Sequence, residues 1–203
     1  MHKLLVGHAT FRREFVAHSR EFLETLASEH QSPDALYIGC ADSRVIPELL
    51  TTSAPGELFV IRNIANLVPP ASRASSSVGA ALEYALQALH VAHIVVCGHY
   101  GCGGVKAMID GVQPTMPELR TWIGEASVAN AAARGDARDP AEQWRLAVEE
   151  NVLDQLANLP TYPCVQERLA AGALTLHGWV YDLHGGLLVY DHDEACFHES
   201  RPA

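Results

Sequence analysis

Short apolar runs alternate with longer segments of helical spacing along this chain. The apolar runs predict β-strands, and they lie at 35–39, 57–61, 93–98, 173–181 and 187–190. The intervening segments space their apolar residues three or four positions apart, which predicts helices at 74–90, 105–109, 115–133 and 140–158. Strands that alternate with helices indicate an α/β fold, with a mainly parallel β-sheet flanked by helices.

The first thirty residues have a different pattern. Segment 8–29 predicts one amphipathic helix, with Phe11, Phe15, Phe22 and Leu26 near one face. The helix ends before the chain-breaking sequence at 31–34. We therefore expect a single domain over 1–203 that begins with a helical segment, residues 1–30. The apolar stripe alone fits a helix packed on its own core as well as one that reaches a neighbouring subunit.

Composition excludes several classes of protein. The chain has 203 residues, 48% of them apolar, which is enough to form a core without disulfides. Its 24 acidic and 14 basic side chains leave a net charge of −10, which argues against nucleic acid as a partner. The sequence contains neither a membrane-length apolar run nor a signal-peptide pattern, so we predict a cytoplasmic protein without a membrane partner. Five cysteines in such a protein are more typical of free thiols or metal ligands than of a disulfide framework.

Two motifs lie at the carboxyl ends of predicted strands, where open α/β sheets place their sites. The first is Cys40-Ala41-Asp42-Ser43-Arg44, and the second runs from His99 to Cys102. Two thiols and one imidazole are ligands that zinc accepts, and catalytic zinc keeps three protein ligands with one position open. Cys40, His99 and Cys102 are therefore candidate ligands of one Zn²⁺ ion per chain.

Each motif taken alone is less specific than the two together. A single free cysteine usually behaves as a small buried hydrophobe. The glycines at 98–104 do not form a phosphate-binding loop, because no Gly-Lys-Ser/Thr follows them. A zinc deaminase is disfavoured because the chain lacks Pro-Cys-x-x-Cys.

Asp42 and Arg44 add chemistry to the candidate metal site. Zinc bound by two thiolates is a weaker Lewis acid than zinc bound by imidazoles, so it needs help to activate water. A carboxylate that accepts a hydrogen bond from that water would orient it, and Arg44 could hold Asp42 in a bidentate pair. The alternative is an ordinary surface ion pair.

At this point the residues resemble the β-class carbonic anhydrases. The first motif is similar to the family's C-x-D-S-R, and His99 with Cys102 is similar to its H-x-x-C. Further similar segments lie at 56–66, 82–85, 97–104, 150–152 and 177–182. The resemblance implies a carbonate dehydratase that hydrates CO2 reversibly to bicarbonate and a proton. Zinc-bound water or hydroxide would be the nucleophile, with Asp42 and Arg44 as the catalytic pair that orients it.

The resemblance also implies sites around the metal. Gln31, Phe59, Tyr84 and Gly103 match positions that contact substrate. Some bacterial members have a closed form in which the aspartate, here Asp42, becomes the fourth zinc ligand. In those members bicarbonate binds a separate effector pocket, whose positions correspond here to Tyr37, Gly39, Arg62 and Tyr181. Those members have Trp where this chain has Tyr37, and this departure from their pattern weakens the expectation of regulation by bicarbonate.

Members of the family are homo-oligomers with an N-terminal helical arm. The resemblance therefore implies a dimer or tetramer in which residues 1–30 form an arm packed across a neighbouring subunit. Two alternative functions stay open at this point. One is hydrolysis of carbon disulfide or carbonyl sulfide on the same fold. The other is a zinc-binding regulatory protein without catalysis, which would have no need of Gln31, Asp42 or Arg44.

Overall fold

The predicted strands pair side by side in one mixed sheet. A computed structural model describes residues 1–72, 77–125 and 139–200. Within those ranges six strands are present: β1 Ala35–Cys40, β2 Leu58–Asn63, β3 His93–His99, β4 Thr175–Tyr181, β5 Leu187–Asp191 and β6 Cys196–Glu199. Their order is β2-β1-β3-β4-β5-β6, and the first four are mutually parallel. The predicted α/β class with a mainly parallel sheet is confirmed.

Helices return the chain between the parallel strands. The described helices are α1 His2–Phe11, α2 Arg20–Ser28, α3 Pro47–Thr51, α4 Ser77–Glu83, α5 Gly103–Asp110, α6 Pro117–Glu125, α7 Pro140–Asn158 and α8 Pro163–Ala170. None of these helices is both long enough and apolar enough to cross a membrane. The helix predicted over 115–133 is described only as far as 125, and its remainder lies outside the described ranges.

The core forms where α7 crosses the sheet. Both faces of β1 are buried, as expected for a strand with parallel neighbours on each side. Helix α7 lies close against β3 and β4 because those strands have glycine where it crosses. A Cβ atom at Gly98 would lie 2.8 Å from Val152 Cγ2, and one at Gly178 would lie 2.8 Å from Leu156 Cδ1. The two glycines therefore set the distance between helix and sheet.

The topology determines where a site can form. From β1 the chain first adds β2 on one side and then β3 on the other. The connections that leave β1 and β3 thus diverge, which opens a crevice at the carboxyl ends of these two strands. Cys40 ends β1 and His99 ends β3, so the fold brings the two predicted motifs to the same crevice.

The N-terminal segment differs from the single helix predicted over 8–29. The chain divides into two compact units, Met1–Ser32 and Pro33–Ala203. In the first unit α1 begins at His2, a π-helical turn spans Arg12–Val16, and a non-helical Ser19 separates it from α2. The predicted helical segment is present, but it is not one continuous α-helix, because it contains a π turn and is interrupted at Ser19. The boundary of the arm and its role as an arm stay predictions.

Among the helices and strands named above, α3, α8 and β6 have no counterpart in the predicted elements. Helices α3 and α8 each begin with proline, whose missing N–H costs nothing in the first turn. Strand β6 pairs antiparallel with β5 at the edge of the sheet. Apolar and polar residues alternate over only four positions, Cys196–Glu199, which is too short to predict a strand.

A histidine pair near the amino ends of β3 and β4 predicts an acid-sensitive stability. His177 Nε2 lies 3.1 Å from His93 Nδ1. Burial, followed by the charge of His93, lowers the pKa of His177 below its ordinary 6.5. The unfolded chain therefore binds this proton more readily than the folded one. The contribution of His177 to stability is intact above the unfolded pKa and is lost as pH falls below it.

We therefore expect the His177→Gln variant to lose less stability than the parent between about pH 7 and pH 5. Urea unfolding of the two proteins at matched zinc content measures this difference. His8→Gln, which removes an exposed histidine of the first unit, is the control. Parallel pH profiles for parent and His177→Gln would contradict the prediction.

Candidate metal centre

Three ligand-type side chains converge at the crevice. Cys40 from β1, His99 from β3 and Cys102 just before α5 are all buried. Their Sγ and ring nitrogen atoms all lie within 4.8 Å of one another. The two sulfurs are 3.8 Å apart. Sulfurs each about 2.3 Å from a tetrahedral zinc would stand about 3.8 Å apart, so the pair has the spacing that zinc requires.

The imidazole has the tautomer that a metal ligand needs. His99 Nδ1 lies 3.0 Å from the carbonyl oxygen of Tyr100. A carbonyl can only accept, so Nδ1 carries the proton and Nε2 presents its lone pair. Nε2 is buried and has no hydrogen-bond partner among the described residues. A buried acceptor that faces two thiols indicates that a cation belongs between them.

The thiols are arranged to release a proton. A hydrogen bond from the Cys102 thiol lowers the pKa of Cys40 well below that of an ordinary thiol. The same bond, followed by burial, raises the pKa of Cys102. The pair therefore readily loses one proton and keeps the second between the sulfurs. A metal cation in that position would stabilise both thiolates.

Backbone N–H groups surround the sulfurs. Those of Asp42 and Ala65 donate towards Cys40, and those of Gly104 and Val105 donate towards Cys102. Ala65 reaches this position with φ +64, a left-handed conformation that L-residues with a side chain rarely adopt. A Cβ atom at Gly104 would lie 2.9 Å from Ala65 Cβ, so glycine is required for the start of α5 to approach this turn.

Asp42 is held beside the three ligands by Arg44. Arg44 Nε donates to Asp42 Oδ1 at 2.9 Å, and its terminal nitrogen donates to Oδ2 at 2.7 Å. These bonds hold the pKa of Asp42 well below its usual range, so the carboxylate stays ionised. Asp42 Oδ2 is 3.8 Å from His99 Nε2. The carboxylate therefore lies at the rim of the centre and is paired with Arg44.

The family model described as carbonic anhydrase matches residues 35–188. The chain belongs to the β-class carbonic anhydrases. The carbonic anhydrase of Pseudomonas aeruginosa is 43% identical over 189 residues, which cover 92% of this chain and 85% of that protein. The carbonic anhydrase of Synechococcus elongatus is 40% identical over 190 residues, covering 92% of this chain and 70% of that one. The prediction of an enzyme, a carbonate dehydratase, is confirmed.

Solved β-carbonic anhydrase structures have the same fold. The β-carbonic anhydrase CcaA superposes with a TM-score of 0.95 at 38% identity, covering 100% of this chain and 92% of that chain. One of two tetrameric β-carbonic anhydrases from Sordaria macrospora superposes with a TM-score of 0.83 at 32% identity, covering 97% of this chain and 98% of that one. The agreement extends over nearly the whole chain.

The residues that the resemblance assigns to an effector pocket lie on β1, β2 and β4 of this carbonic anhydrase. Tyr37 packs against Trp179 and Tyr181 on the face of the sheet opposite the main core. Its hydroxyl is buried without a hydrogen-bond partner in the described chain, and burial raises its pKa. Arg62, which pairs with Gly39 across β1 and β2, donates to the carbonyl oxygens of Cys40 and Asp42. Arg62 therefore holds the backbone of the first motif.

The residues predicted to contact substrate do not lie together within one chain. Phe59 and Tyr84 face each other, with ring centroids 5.8 Å apart. Phe59 pairs with Leu36, four residues before Cys40, which is about 13 Å along the strand. Within one chain Phe59, with the Tyr84 ring that faces it, therefore lies away from the candidate ligand Cys40. Gly103 begins α5 directly after Cys102, whereas Gln31 belongs to the N-terminal unit.

A buried polar network supports the strained turn, and the sequence patterns assign it no role. Asn151 Nδ2 donates to the carbonyl oxygen of Ala65 at 3.0 Å. Gln155 Nε2 donates to Asn151 Oδ1 at 3.0 Å, and Gln155 Oε1 accepts from the N–H of Val68 at 2.8 Å. The sequence feature that could have revealed this network is a pair of amide side chains, four residues apart, on the apolar face of α7.

Replacing Asn151 by leucine is expected to lower the free energy of unfolding by about 2–4 kcal/mol. The substitution leaves the Ala65 carbonyl and the Gln155 amide buried without partners. Urea unfolding measures the loss, and Gln166→Leu, an amide replaced on the exposed surface of α8, is the control. A variant as stable as the parent would mean that the network does not hold the turn.

Proposed function

We propose that this chain catalyses the zinc-dependent, reversible hydration of CO2 to bicarbonate and a proton. Cys40, His99 and Cys102 would hold one zinc ion per chain. The observation that carries the proposal is the buried Nε2 of His99, which faces two thiols at the sulfur spacing that zinc takes. Bound zinc supplies a Lewis acid that activates water near neutral pH.

Asp42 would act on the reacting water as a hydrogen-bond acceptor. Its ionised carboxylate lies beside the ligands, so it can orient a water proton away from the attacking lone pair. Arg44 is a positioning residue, because its two donors use one lone pair of each carboxylate oxygen and fix the plane of the group. Exchange of Asp42 from Arg44 to the metal, which would close the site, stays a prediction.

Substrate contacts would require more than one copy of the chain. Phe59 pairs with Leu36, about 13 Å along the strand from Cys40 of its own chain, and the Tyr84 ring faces Phe59. They can line a CO2 pocket if a second copy places them against its neighbour's metal centre. The tetrameric enzymes of Sordaria macrospora support an oligomer, and a homodimer or homotetramer fits this proposal.

The remaining assignments are proposed on the resemblance. Gln31 and Gly103 would contact substrate, and Tyr37, Gly39, Arg62 and Tyr181 would form the bicarbonate pocket. Arg62 already uses two donors on backbone carbonyls, so bicarbonate would have to share this guanidinium. The cytoplasmic location likewise stays a prediction.

The test is stopped-flow CO2 hydration by the zinc-loaded protein from about pH 6.5 to pH 9. We expect activity that rises with pH, disappears when a chelator removes the metal, and returns with stoichiometric zinc. Assays with carbonyl sulfide and carbon disulfide run beside it. Full zinc occupancy without hydration at any pH would overturn the proposal. Hydrolysis of either sulfur compound would then indicate the alternative substrate class, and inactivity on all three would indicate a regulatory zinc protein.

A further inference from the structure

A second cluster of ligand-type side chains lies on the hairpin of β5 and β6. Glu194, Cys196 and His198 place their ligand atoms within 4.8 Å of one another. His198 Nε2 lies 3.1 Å from Cys196 Sγ and 3.0 Å from Glu194 Oε2, and the sulfur lies 4.0 Å from that oxygen. All three residues are exposed, and none belongs to the carbonic anhydrase centre.

The hairpin itself creates this arrangement. Asp191 Oδ1 accepts the N–H groups of Asp193 and Glu194, which closes the turn and directs the chain back along β5. Cys196 and His198 are two positions apart on β6, so they emerge on the same face of the strand. Phe197, between them, points to the other face and packs against Tyr190. The turn then brings Glu194 over the exposed pair.

The geometry distinguishes metal binding from nucleophilic catalysis. In a cysteine–histidine–carboxylate relay the thiol and the carboxylate occupy opposite nitrogens of the ring. Here both Cys196 Sγ and Glu194 Oε2 face the same nitrogen, Nε2 of His198. One ring nitrogen cannot relay a proton between two partners that both lie against it. The three ligand-type atoms instead lie close enough together, within 4.8 Å of one another, to share one metal ion.

We propose that Glu194, Cys196 and His198 form a surface site for a borderline divalent metal ion, with Zn²⁺ as the preferred occupant. A thiolate and an imidazole select against Mg²⁺ and Ca²⁺, which prefer oxygen ligands, and one carboxylate completes a three-ligand set that zinc accepts. Two more carboxylates, Asp191 and Asp193, lie in the same turn and favour a cation there. The fourth position is open to solvent or to a ligand from another molecule.

The test begins with protein whose buried centre is already loaded with zinc. Equilibrium dialysis against micromolar free Zn²⁺, followed by metal analysis, is expected to give about two ions per chain, one at each site. Cys196→Ser and His198→Ala are each expected to return the value to about one, with CO2 hydration unchanged. His184→Ala is the matched control, because exposed His184 has one carboxylate partner, Asp182, at 2.8 Å and is expected to leave the count at two.

A second measurement identifies the ligand atom. Co²⁺ added to the zinc-loaded protein is expected to produce near-ultraviolet sulfur-to-cobalt charge-transfer absorption, and Cys196→Ser is expected to abolish it. A parent that retains one ion per chain overturns the proposal. So does a second ion that Cys196→Ser and His198→Ala both retain, because that ion would be bound elsewhere.

Discussion

Cys102→Ala is expected to lose its zinc on dialysis and to hydrate CO2 at least about 1000-fold more slowly than the parent. Cys102 supplies one of two sulfurs that stand 3.8 Å apart, and alanine has no ligand atom to replace it. Two ligands would remain, which is fewer than catalytic zinc sites use. Metal analysis and stopped-flow hydration of the same samples measure both losses.

Cys97→Ala is a matched control for this experiment. Cys97 is also a fully buried thiol, and it lies on β3 in the cluster around Tyr37 instead of at the metal centre. We expect Cys97→Ala to keep one zinc per chain and near-parent activity. Its thermal midpoint should still rise when zinc is added, since a ligand that binds only the folded state stabilises that state. Full zinc occupancy in Cys102→Ala would remove Cys102 from the ligand set.

Asp42→Asn is expected to lower kcat/KM by about 100–1000-fold while zinc stays at one per chain. The amide has the same shape as the carboxylate, but it carries no charge and offers one acceptor oxygen. The bidentate pair with Arg44 is therefore lost, and the group no longer holds a water proton in a fixed direction. The three metal ligands are untouched, so the loss is expected in catalysis rather than in metal content.

Two further variants separate this role from a structural one. Ser43→Ala, which changes an exposed residue in the same loop, is expected to behave as the parent. Arg44→Lys keeps the charge but cannot form the two-pronged pair, so an intermediate loss of about tenfold is expected. If Asp42→Asn lost zinc in proportion to its activity, Asp42 would be supporting the metal rather than the reaction.

Local patterns predict much of the fold because they depend on neighbours in sequence. The apolar runs at 35–39 and 93–98 indicate strands without any knowledge of their partners, and both are buried strands in the sheet. The centre of the N-terminal helix escapes this kind of prediction, because a π turn over Arg12–Val16 does not change the spacing of apolar residues enough to be noticed. Strand β6 escapes it because the strand is short and most of its residues are polar or exposed.

In the candidate site, too, local sequence patterns predict some residues and miss others. Cys40, His99 and Cys102 lie in two compact motifs that follow predicted strands, so their residue types alone point to zinc. The support for the site comes from distant residues. Asn151 bonds to a carbonyl 86 positions earlier in the chain, and no spacing rule connects the two. The surface cluster on the last hairpin likewise depends on how the turn folds back.

By itself the sequence determined the fold class, through the alternation of strand and helix patterns along the chain. It also determined the candidate ligand types and the Asp42–Arg44 pair, because these lie in two short motifs. The tertiary structure decided that the two sulfurs stand at zinc spacing and that His99 presents Nε2. It decided as well that Phe59 pairs with Leu36, about 13 Å along the strand from Cys40. It also decided that Ala65 takes a left-handed turn. These properties depend on strand register, burial and long-range hydrogen bonds, which form only when segments far apart in the chain pack together.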